Sequence, residues 1–183
     1  PRVSLVKQAY DTAGAFCSCI STDDPSLFSK DIYNTLLIER PKEISDSVSN
    51  VSHAVTHSLI VAEGYYGKQF ELDVTLMPAI AARSTTILQS IINLMHSDSS
   101  IMSAMTCVHT HPWVWKVKKE IDSAENSWYP NSQKNSQDLS SYLIEHASII
   151  VNRRSVVLEG AKWMLPLLIY TLPSWGIGLD IDD

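Results

Sequence analysis

A change of hydrophobic period between residues 70 and 111 restricts this chain more than any other feature. In "FELDVTLM" (70–77), Phe70, Leu72, Val74 and Leu76 point one way and Glu71, Asp73 and Thr75 the other. That is the period-two pattern of a strand with one buried face. "PAIAARSTTILQSIINLMHSDSS" (78–100) then sets Ile80, Ile87, Leu88, Ile91, Ile92 and Met95 at helical spacing, with Pro78 near the start and a Ser/Asp cluster at the end. "IMSAMTCVHTH" (101–111) returns to strand, and Pro112, which cannot donate to a ladder, closes it. Strand, helix and strand in such close succession call for a sheet with a helix laid on one face.

The flanking sequence is read around this centre. Residues 1–40 are weakly marked as helical, with a helix start near Asp23–Pro25. The polar stretch 43–57 reads as loop or edge strand. "SLIVAE" (58–63) is a short apolar strand that "GYYGKQ" turns into 70–77 as a β-hairpin. Beyond Pro112, a long polar loop (113–135) carries Trp113, Trp115, Trp128 and Tyr129, aromatic residues placed to cover the core or to line a groove. "SQDLSSYLIEH" (136–146) reads as a helix and "ASIIVNRRSVVLEG" (147–160) as two strands about an Asn-Arg-Arg turn. The pattern is α+β: a mixed β-sheet of hairpins flanked by helices. Its expected parts are an N-terminal helical and loop segment (1–57), a core (58–160), and an apolar C-terminal segment (161–183) packed on that core.

Composition narrows the partners. Fourteen Lys and Arg against 20 Asp and Glu leave a net charge of −6, and no basic run tracks phosphates, so nucleic acid is not an expected partner. Cys17, Cys19 and Cys107 are an odd count, and two of them are too close to bridge, which fits a reducing compartment. Residues 161–179 are nearly uncharged, but Pro166 and Pro173 interrupt them, which favours a buried strand and turn over membrane insertion. No apolar signal core opens the sequence. The expected location is cytoplasmic, for a protein of this compartment or for a fragment of a larger one delivered into a target cell.

The chemistry concentrates at the end of the strand 101–111. Residues i and i+2 of a strand share a face about 7 Å apart, so His109 and His111 can converge on one ion while Thr110 points away. Neutral imidazole is a good zinc ligand, and a catalytic zinc takes three protein ligands and keeps a position for water. A third ligand and a group to handle the water's proton are then required. Without a metal, the pair is simply a polar end to a strand. Cys107 shares the histidines' face and reads as a small buried hydrophobe.

"HTHP" at a strand end, after a helix and a hairpin and before a loop and another helix, resembles the JAMM (JAB/MPN-type) metallopeptidases over roughly 58–159. The nearest likeness is to the JAB domains associated with bacterial toxins. The resemblance implies a JAB/MPN-like fold with cytidine-deaminase-like layering and a Zn2+ cofactor. It also implies hydrolysis of peptide or isopeptide bonds in a protein or peptide substrate, ubiquitin-like proteins among them. The family pattern is an upstream glutamate, His-x-His-Pro, then Ser-x-x-Asp. Carried over, His109, His111 and Asp138 hold the metal. Asp138 stands 27 residues after His111 at an expected helix start, and Asp122, 11 residues after it, is the rival. The serine position departs from the pattern: Asn135 stands three residues before Asp138 and Lys119 three before Asp122. An Asn135 amide can still donate to an oxyanion. Glu63, 46 residues before His109, is the expected proton acceptor, with Glu43 as its rival.

Two other functions compete. One is a cysteine hydrolase in which Cys17 or Cys19 of "AGAFCSCIS" lies at a helix start that lowers its pKa. The other is a non-catalytic JAB-like scaffold or an acidic, immunity-type binding protein, which the serine departure and the negative charge favour.

Overall fold

The computed structural model describes residues 17–27, 35–46, 48–77, 79–80, 83–110, 115–117, 124–126, 135 and 141–173; for 115–117, 124–126 and 147 it describes the backbone alone. The elements are β1 (Cys19–Thr22), β2 (Leu36–Glu39), α1 (Val51–Tyr66), β3 (Leu72–Thr75), α2 (Thr85–Ser97) and β4 (Ser103–Thr110). They continue with β5 (Trp115–Val117), β6 (Ala124–Asn126), β7 (Tyr142–Arg153), α3 (Arg154–Leu158) and β8 (Leu167–Leu172). The fold is mixed: a four-stranded sheet in the order β3-β7-β4-β8 carries helices, and β1-β2 and β5-β6 form separate two-stranded ribbons. Within the large sheet β7 runs antiparallel to both β3 and β4, whereas β8 runs parallel to β4.

The alternation that opened the sequence reading survives in three dimensions. Leu72, Val74 and Leu76 pack on the core cluster formed by Leu88, Ile91 and Met95 of α2 with Ala104, Ile149 and Val151 of the sheet. Ile91, Met95, Ala104 and Val151 have no exposed surface. A smaller cluster of Met105, Cys107 and Ile150, joined by Leu167, occupies the other face. The polar groups buried among these strands are paired: Ser103 Oγ donates to Asn152 Oδ1 at 2.6 Å, and the hydroxyls of Thr106 and Ser148 share a bond of 2.7 Å. Such pairing is what makes burial of those groups tolerable.

Several expectations are corrected. Residues 51–66, read as loop or edge strand followed by the strand 58–63, form one helix. Asn50 caps it by accepting from the Ser52 amide, and Gly67, at φ 64°, ends it. The polar side chains that hid this helix bond inside it, Thr56 Oγ1 to the Ser52 carbonyl and Ser58 Oγ to the Ala54 carbonyl. The hairpin expected between 58–63 and 70–77 is therefore absent, and β3 pairs with the distant β7. The helix expected over 136–146 is strand from Tyr142 onward, because β7 is held along its length by β4. The hairpin over 147–160 is instead the end of β7 running into α3. Arg153 fixes that junction by donating to the carbonyls of Ile101 and Met95 and to Glu71. Near the N-terminus, β1 and β2 form a parallel pair, and the helix expected at Asp23–Pro25 is a single 3-10 turn, Pro25–Leu27. The segment 113–135 contributes the antiparallel ribbon β5-β6. The C-terminal segment does supply a strand, β8. No helix among the described residues is long and apolar enough to cross a membrane.

Candidate metal centre at the end of β4

β4 lies between β7 and β8, and its last two residues, His109 and Thr110, pair with Leu143 and Tyr142 at the start of β7. The chain thus leaves the sheet after Thr110 and re-enters it at Tyr142 at the same end. His109 stands exposed there, two residues beyond Cys107, which is buried against Met105 and Ile150. The His109 imidazole is hydrogen-bonded through Nδ1 to the Ser141 hydroxyl at 2.9 Å. Among the described residues Nε2 has no hydrogen-bond partner, and an imidazole held by one nitrogen with the other open is how a zinc-ligating histidine is ordinarily presented. His109 therefore fits a zinc ligand.

Of the other expected residues, His111, Asp138 and Asp122 lie outside the described residues, as do Trp113, Trp128 and Tyr129. Asn135 is exposed. Among the described residues no three His, Cys, Asp or Glu side chains stand close enough together to hold a metal.

Glu63 is described in full, and the fold does not bring it to His109. It lies in the last turn of α1, where Oε1 accepts from Arg154 Nε at 2.7 Å and from the Phe70 amide at 3.0 Å, while Oε2 accepts from Arg154 Nη2 at 2.9 Å. The hydrogen bond from Arg154 holds its carboxyl below the usual carboxylate range, against an opposing effect of desolvation. Arg154 begins α3, two residues past Asn152, whose strand partner is Ser103. Ser103 and His109 are separated by six residues of β4, about 20 Å at the usual strand rise. Glu63 thus braces the other end of the sheet through Arg154 and the Phe70 amide. Glu43 lies in an exposed 3-10 turn (Lys42–Ile44), and its carbonyl accepts from Ser49 just ahead of α1. A shallow open groove near Glu63 is lined by Gln69, Phe70, Glu71, Arg153, Arg154 and Ser155, but its arginines are engaged by Glu71 and Glu63.

The Cys19 thiol does not resemble a nucleophile. Cys19 begins β1 rather than a helix, and although it stands exposed on that strand, desolvation by the surrounding chain, with the charge of Asp73 as a second cause, pushes its pKa up to about 11. Activation would need the reverse shift. Cys17 precedes that strand in a bend.

No family model and no curated protein matches this chain. Among solved structures it is similar to a CMP:2-keto-3-deoxy-manno-octonic acid synthetase in complex with CTP, at 14% identity and a TM-score of 0.57, over 97% of this chain and 82% of that one. At that identity the likeness is one of fold, a mixed sheet flanked by helices.

Two residues near His109 escaped the sequence reading. Ser141 looked like part of a polar helix start. Glu145, which pairs with Cys107 on the His109 face, looked like a helix surface charge; it is bound to Lys162 Nζ at 2.6 Å. Reading "YLIEHASIIV" as one strand would have exposed both.

Proposed function

We propose that the end of β4 is a zinc centre of JAMM type in a JAB/MPN-like domain, held by His109, His111 and Asp138, and that the protein hydrolyses peptide or isopeptide bonds. The observation that carries this reading is the presentation of His109, exposed at the strand end with Nε2 open. Asp138 is the third ligand of this reading, with Asp122 as its rival. Asp138 is three residues from Ser141, whose hydroxyl touches His109, and three residues span at most about 11 Å. A zinc bound there would supply Lewis acidity and a water of near-neutral pKa. His109 and His111 would orient the site as same-face ligands, and the Asn135 amide, three residues before Asp138, would donate to the oxyanion of a protein or peptide substrate. Ubiquitin-like proteins are among the substrates to test, and a cytoplasmic effector or toxin role fits the resemblance. The CTP-bound synthetase lends no residue to this reading.

A second reading, the non-catalytic JAB-like scaffold or acidic binding partner, is favoured by one observation: Glu63 is committed to Arg154 and leaves the expected proton acceptor without its role. Hydrolysis separates the two. The hydrolase reading expects zinc-restored protein to cleave a peptide or a ubiquitin-type isopeptide, with the activity lost on chelation and in His109→Ala. Zinc bound without cleavage of either substrate class would favour the scaffold.

A further inference from the structure

We draw no further inference here: the strongest candidate, the Arg83 guanidinium at the entry to α2, whose Nε donates to the Ser148 carbonyl at 3.1 Å and whose Nη1 and Nη2 are buried with no hydrogen-bond partner among the described residues, carries nothing, because the burial that leaves those nitrogens unpaired also closes them to a ligand.

Discussion

Two carboxylates in this fold sit in opposite electrostatic settings. Arg154 holds Glu63 low, so the folded pKa lies below the unfolded one. The resulting stability is present at neutral pH and is lost as pH falls through the folded value. Glu63→Gln should lower the urea midpoint at pH 7, flatten the acid side of the stability profile and leave zinc content unchanged. Loss of zinc in this variant would mean that Glu63 reaches the metal after all. Asp73 is the reverse case. Burial pushes its pKa up to about 6, only partly offset by the hydrogen bond from Thr75. The folded state then holds the extra proton between the ordinary carboxylate value and that pH, and stability falls as pH rises through this window. Asp73→Asn should make the protein more stable above pH 6 by on the order of 1–3 kcal/mol, and the gain should vanish near pH 3. Denaturant titrations at several pH values check both carboxylates.

At the scale of elements, α2 and β4 were legible because their apolar periods are strong and their boundaries are local. Ser84 caps α2 by accepting from the Ile87 amide, and Leu88, Ile91 and Met95 form its buried stripe. Ile91 is fully buried, so Ile91→Ala should cost about 2–5 kcal/mol by calorimetry or denaturant unfolding. A cost under half of the lower value would argue against the described packing of α2 on the sheet. The helix α1 was not legible, because serine, threonine and histidine fill its sequence and their preference for loops is overcome by bonds to its own carbonyls and by burial of Ala54, Leu59 and Ala62. Its end rests on the left-handed conformation of Gly67. Gly67→Ala should destabilise by about 1–2 kcal/mol.

At the scale of the whole molecule, what the sequence hid is long-range. Local pattern identified the strands that became β3 and β4, yet not that both pair with β7, whose first residues resemble a polar helix. That one misreading removed Ser141 from view. It also concealed that Glu63 and His109 stand at opposite ends of the sheet, because their separation follows from where β7 begins and ends. That β4 ends by bringing His109 to an exposed position was legible, since a strand's apolar period is a local property. The claim that unites sequence and fold is that this strand end binds zinc, and metal content tests it most directly. Protein equilibrated with zinc and freed of excess by dialysis should retain close to one zinc per chain, and His109→Ala, with the same circular dichroism, should retain none. A folded wild type that holds no zinc at any concentration, or a His109→Ala variant that keeps its zinc, would contradict it.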